Sequence, residues 1–119
     1  MSEHCKFDPT HGIKTYAHEE ACEFAFNAQH KAYVLGYAPP VIRKIDEFSY
    51  QTEIAETKVI MDILKPDIYY NMLFPDMHNA LKEIFKDLPK KKLAGPDGVD
   101  MARHNLGIYK GRVVMIDFY

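Results

Sequence analysis

From Asp100 to Tyr119 the chain reads DMARHNLGIYKGRVVMIDFY, and the reading of this stretch decides the rest. LGIY and RVVMID are rich in β-branched and aromatic residues. Lys110-Gly111 between them suits a tight two-residue turn, so the stretch predicts a closing β-hairpin. Asn105 precedes the first strand and Asp117 follows the second, and a hairpin brings its two ends together. A carboxamide and a carboxylate are therefore expected near one another, with Asp100 on the loop just upstream. Oxygen ligands of this kind suit Mg²⁺, which keeps several waters and binds substrate phosphates rather than a complete protein cage. The local alternative is that Asp117 caps a strand end and Asn105 makes an Asx-turn, because both residue types bond nearby backbone.

Working back along the chain, Met77, Leu81, Ile84, Phe85 and Leu88 form one apolar stripe at helical spacing, entered through Pro75-Asp76 and closed by Pro89. Thr57 to Leu64 reads as a short helix ended by Lys65-Pro66, since a proline disfavours helix in the residue before it. APPVIRKI and EFSYQTEIA read as two antiparallel strands, the second with Phe48, Tyr50, Thr52 and Ile54 alternating at period two. Ala21, Phe24, Ala25, Ala28, Ala32 and Leu35 mark a long helix from Ala17 to Leu35, with Gly36 as its stop. Before it, HCKF and IKTY flank the turn formers of DPTHG and predict a hairpin. The order of strands and helices gives an α+β class, with helices segregated from small antiparallel sheets.

Composition bounds the function. The 119 residues fit one minimal domain. A net charge of −2 supplies no field for nucleic acid, and Lys90 to Lys92 is a short basic run expected to be a solvated loop. The tyrosines and phenylalanines are expected in core and surface rather than as a base-stacking platform, so nucleic acid is not an expected partner. No apolar run approaches the roughly 20 residues needed to span a bilayer, and the start lacks a signal-peptide core, so a cytoplasmic protein without a membrane partner is expected. Cys5 and Cys22 are expected as reduced thiols. His18 and Cys22 stand at i, i+4, but no further ligands have matching spacing, so zinc is not expected.

The Asp100-to-Asn105 spacing, the N-x-G that follows, the short hairpin and the final Asp117-Phe118 together resemble the catalytic loop and metal-binding strand of the protein-kinase-like fold. The likeness is greatest to its atypical small-molecule and its bacterial or viral, including phage, branches. That resemblance implies a minimal fold with a small antiparallel N-lobe sheet and long helix over about residues 1–55. A hinge, two or three helices and the C-terminal hairpin would follow over about 56–119. It implies ATP and Mg²⁺ as cofactors, with Asp100 as catalytic base and Asn105 and Asp117 on the metal. Lys14 would contact the phosphates, Thr52 would stand behind the adenine, and the backbone of Glu53 and Ala55 would meet its edge. The position of the helix Glu that pairs with the Lys falls at Gln29, with Glu19, Glu20 and Glu23 as the alternatives.

The sequence departs from the family pattern at four places. Gly98-Val99 stand where His-Arg usually precede the Asp, and no Gly-rich loop precedes Lys14. Gln29 replaces a Glu, and Tyr119 stands where Asp-Phe-Gly has its glycine. The expectation is a Mg-ATP-dependent phosphotransferase without an activation segment. Its rivals are an inactive, pseudokinase-like module that engages a protein partner through a truncated face, such as a phage protein acting on a host factor, and a subunit completed by a second copy in a homodimer.

Overall fold

The computed structural model describes residues 5–66, 68–86 and 99–119. It is an α+β fold of a four-stranded antiparallel sheet, three helices and a separate two-stranded hairpin. The expected basic run at Lys90–Lys92 and the helix end at Leu88-Pro89 lie outside the described residues.

Strands β1 (Cys5–Asp8) and β2 (Ile13–Tyr16) form the first hairpin, with Phe7 opposite Lys14. The turn is built by Asp8, whose Oδ1 accepts the Thr10 N–H at 2.9 Å, and by Gly12 at φ +71°. A Cβ on Gly12 would lie 2.1 Å from the Thr52 carbonyl oxygen, so only glycine lets the turn close against the neighbouring strand.

Helix α1 (Glu19–Val34) follows directly. Its first turn carries Glu19 and Glu20 and its last turn Lys31, charges that complement the helix dipole. It ends in a Schellman motif: Tyr37 N–H bonds Ala32 O and Gly36 N–H bonds Tyr33 O, both at 2.8 Å, with Gly36 at φ +88°. The buried face is mostly small, Ala21, Cys22, Ala25, Ala28 and Ala32, and carries Gln29 as well. Small side chains let α1 pack against both the sheet and the later helix.

Strands β3 (Val41–Lys44) and β4 (Ser49–Thr52) complete the sheet in the order β1-β2-β4-β3. The alternation expected from Phe48 to Ile54 holds only inside β4. Tyr50 and Thr52 are buried, whereas Phe48 and Ile54 are exposed. The reason is local: Phe48 N–H bonds the Asp46 carboxylate at 2.8 Å in a turn, and the pairing with β3 reaches its last rung where Glu53 N–H meets the Pro40 carbonyl, just before Ile54.

The segment after β4 crosses to the C-terminal hairpin, where Glu56 and Ile108 exchange backbone hydrogen bonds of 2.8 and 2.7 Å. Short helix α2 (Lys58–Ile63) is entered through the Glu56 carboxylate, which accepts the N–H groups of Lys58 and Val59. Helix α3 (Pro75–Phe85) places proline in its first turn and buries Met77, His78, Leu81 and Phe85. Strands β5 (Leu106–Tyr109) and β6 (Arg112–Met115) pair in register, Leu106 with Met115, around Lys110-Gly111. Both turn residues have positive φ, 50° and 77°, as a primed two-residue turn requires.

Tyr16, Tyr50, Leu81, Phe85, Leu106, Met115 and Phe118 join the small face of α1 in one core. No helix among the described residues is long and apolar enough to cross a membrane.

Candidate functional site

Lys14 sits at the middle of β2, between Phe7 on one neighbouring strand and Tyr50 on the other. Its side chain points into the core and is 2% exposed. The ammonium donates to Gln29 Oε1 at 3.1 Å and to the Ile116 carbonyl, and lies 5.7 Å from the ring centres of both Tyr50 and Phe118. Burial among these groups pushes the Lys14 pKa from its ordinary 10.5 down to about 8, although the nearby Asp117 carboxylate and Cys5 pull the other way.

Of the four candidate partners on α1, Gln29 is the one that reaches Lys14. It is 1% exposed and its amide is saturated. Oε1 accepts from Lys14 Nζ and from Tyr50 OH at 2.8 Å, while Nε2 donates to Pro39 O at 2.9 Å and to Thr52 Oγ1 at 2.6 Å. Two acceptors meet the amide nitrogen and two donors meet the amide oxygen. That pairing explains an amide rather than a carboxylate here, since a Glu could not donate to the Pro39 carbonyl. Glu19, Glu20 and Glu23 lie exposed near the start of the helix.

Lys14, Gln29, Thr52, Glu53 and Ala55 line one cleft together with Phe7, Pro39, Ile54 and Ile116. Every residue expected along the nucleotide thus faces the same space, between the sheet and the end of the hairpin. The cavity within it is about 30 Å³, close to the share of one water in the liquid. A small-molecule site typically needs roughly 300 Å³ or more. Three further hydrogen bonds surround this cleft: the Thr52 hydroxyl is shared between the Glu53 and Pro40 carbonyls, and Tyr109 OH donates to the Glu53 carboxylate.

Asn105 and Asp117 both lie at the open end of the β5–β6 hairpin, where the register sets Asn105 opposite Ile116, the residue before Asp117. Ile116 N–H bonds Asn105 O at 2.9 Å, which carries the pairing one step past Leu106 and Met115. Asn105 is 3% exposed and donates Nδ2 to the Asp100 carbonyl at 3.1 Å, which fixes the amide orientation. Among the described residues its buried Oδ1 meets no hydrogen-bond partner. Asp117 is buried at 8% exposure, and its Oδ1 is 3.5 Å from Tyr119 N. A buried amide oxygen with no partner among the described residues is costly unless something else satisfies it, and with the Asp117 carboxylate at the same end of the hairpin a hard cation with its own waters fits the donor set. Among the described residues no three His, Cys, Asp or Glu side chains cluster to form a complete protein cage.

Asp100 joins this end through its backbone, while its half-buried side chain turns to its own loop. Oδ1 is 3.4 Å from Ala102 N and Oδ2 is 4.0 Å from His104 Nε2. The loop is braced by Arg103, which donates Nη1 to the Met61 and Leu64 carbonyls at the end of α2. That contact satisfies helix-terminal acceptors with a cation, the favoured charge at that end.

Sequence reasoning missed the groups that enclose Lys14. Tyr50 and Phe118 were visible as an inward strand residue and as part of the Asp-Phe pair, but the Ile116 and Pro39 carbonyls are backbone and leave no compositional signal. Arg103 and Glu56 were missed as well, because their work is to terminate α2. Comparison with protein-family models, curated proteins and solved structures finds no match to this chain.

Proposed function

We propose that this domain is a minimal kinase-like fold that binds ATP with Mg²⁺ and transfers its γ-phosphate. The observation that carries the reading is convergence. A buried lysine on the central strand, the helix residue that holds it, Thr52 and the segment after it line a single cleft. The Asn105–Asp117 end of the hairpin abuts that cleft through Ile116. Lys14 would meet the phosphates, and the edge of the base would lie along Glu53 and Ala55. Asn105 Oδ1 and the Asp117 carboxylate would hold the cation, which supplies charge neutralisation at the phosphates. Asp100, held outside the cleft and tied to Asn105, would orient or deprotonate the acceptor hydroxyl. The strand bearing Lys14, the long helix, two further strands and a crossing segment follow in the order the kinase-like resemblance implies.

A second reading, an inactive module of the same fold that binds a protein partner, is favoured by a separate observation. Val59, Ile63, Ile68, Tyr69, Met72 and Leu73 are all exposed around α2 and the turn after it, Met72 at 95%. Clustered exposed apolar side chains mark interaction surfaces more often than solvent-facing ones. Mg-dependent ATP turnover separates the two. The enzyme reading expects turnover in the wild type that Asp100→Asn lowers by about 100-fold or more while nucleotide binding persists. Nucleotide binding without turnover would leave the inactive module.

A further inference from the structure

Lys14 is tied to the wrong group for a lysine waiting on a phosphate. Its ammonium holds the Ile116 carbonyl, one residue before Asp117, and faces the Phe118 ring one residue after it. The contact joins the centre of the four-stranded sheet to the end of the β5–β6 hairpin, across a cleft narrowed to about 30 Å³. The groups facing the ammonium come from every surrounding element. They are Cys5 on β1, Gln29 on α1, Tyr50 on β4, and Ile116, Asp117 and Phe118 after β6. Gln29 Oε1 and the Ile116 carbonyl are neutral, and the two rings contribute only their faces. Among the described residues, the carboxylate that supplies counter-charge to Lys14 is Asp117.

We infer that Lys14 is a latch that holds the cleft shut and opposes cation binding at Asn105 and Asp117 until an anionic phosphate arrives. The inference rests on the reading of those two residues as the cation site and adds its regulation. A divalent cation on Asp117, next in the chain to the Ile116 carbonyl that Lys14 holds, offsets the negative charge nearest the buried ammonium and leaves two positive groups close together in a poorly solvated space. In most kinase-like sites the lysine keeps a Glu of its own. Here Gln29 is neutral, so Lys14 and the cation compete for one carboxylate. A nucleotide's phosphates resolve the conflict: they give Lys14 a new anion, draw it off the Ile116 carbonyl and let the cleft widen. Cation and nucleotide therefore bind cooperatively, and cation alone binds weakly.

The test uses Mn²⁺ alone, without nucleotide, followed by electron paramagnetic resonance on the full chain. Wild type, Lys14→Met, Lys14→Gln, Lys14→Arg and Asp117→Asn are compared, each checked for native circular dichroism. Lys14→Gln keeps a donor for the Ile116 carbonyl without charge, so it tests the latch even if the methionine variant unfolds. Both neutral variants are expected to bind Mn²⁺ about fivefold or more tightly than wild type, with Lys14→Arg unchanged and Asp117→Asn without binding. Neutral variants that bind no more tightly than wild type, with binding still lost in Asp117→Asn, would overturn the latch and leave the cation site standing. Absence of any Asp117-dependent Mn²⁺ binding in all variants would overturn both.

Discussion

Lys14 and Gln29 show what single residues contribute. A buried lysine held by an amide, a carbonyl and two rings is more easily neutralised than an exposed one, and its pKa near 8 has a defined consequence for stability. Between pH 8 and about 10.5 the unfolded chain keeps the lysine proton that the folded chain has released. Stability from this group therefore rises with pH across that window. The buried Cys5, Tyr16 and Tyr50, whose pKa values burial raises, act in the opposite sense. Measuring urea unfolding of wild type against Lys14→Met isolates the lysine, and the wild type is expected to gain on the variant from pH 8 to pH 10. A constant difference would show that Lys14 is not desolvated. Gln29→Glu tests the amide. It offers Lys14 an anion but sets a carboxylate oxygen against the Pro39 carbonyl, so urea unfolding at pH 7 should show a loss of about 1–3 kcal/mol. A stabilised variant would mean that the ion pair outweighs the lost donor. The kinase-like resemblance put Lys14 at the expected site and offered Gln29 as one of four partners for it. It could not choose between Gln29 and the glutamates at positions 19, 20 and 23, because that choice depends on how far α1 is rotated against the sheet.

At the scale of elements, close backbone approach rather than hydrophobic pattern fixes how the pieces meet. Gly107 lies where the segment after β4 crosses the hairpin. A Cβ there would come within 3.0 Å of Ala55 Cβ and 3.2 Å of Glu56 O. Gly107→Ala should cost about 1–3 kcal/mol by overpacking, read from the urea midpoint, and should weaken the paired hydrogen bonds of Glu56 and Ile108. Gly12→Ala should cost more, about 3 kcal/mol, since positive φ and a clash with the Thr52 backbone act together. Little or no loss in either variant would mean that the backbone at these crossings has room for a methyl group. The hairpin and the long helices were legible because their signals are local: Lys110-Gly111 between β-rich runs, alanines at helical spacing before Gly36, Pro75 before an apolar stripe. The ends of β4 were not. Phe48 and Ile54 continue the apolar alternation in sequence, but both are exposed: Phe48 sits in the Asp46 turn, and Ile54 lies past the last rung of the sheet, where Glu53 N–H meets the Pro40 carbonyl.

Over the whole molecule, a sheet and a hairpin close on a cleft whose walls carry a lysine, an amide and a threonine, and Ile116, the residue before Asp117, lines it from the hairpin side. The α+β class followed from the order of elements. The convergence of residues as distant as Lys14 and Ile116 did not, because contacts across the cleft depend on how α1 seats both sheets. The central claim is that this cleft is a Mg-nucleotide site, and thermal unfolding with and without Mg-ATP tests it most directly, on wild type and on Asp117→Asn. At ATP about ten times its Kd, ligand linkage stabilises the folded state by about 1.4 kcal/mol, or roughly 5 °C for a chain of this size. The account predicts that shift in the wild type only when Mg²⁺ is present, and its loss in Asp117→Asn. An unchanged wild-type melting temperature at millimolar Mg-ATP, or an equal shift in both proteins, would contradict it.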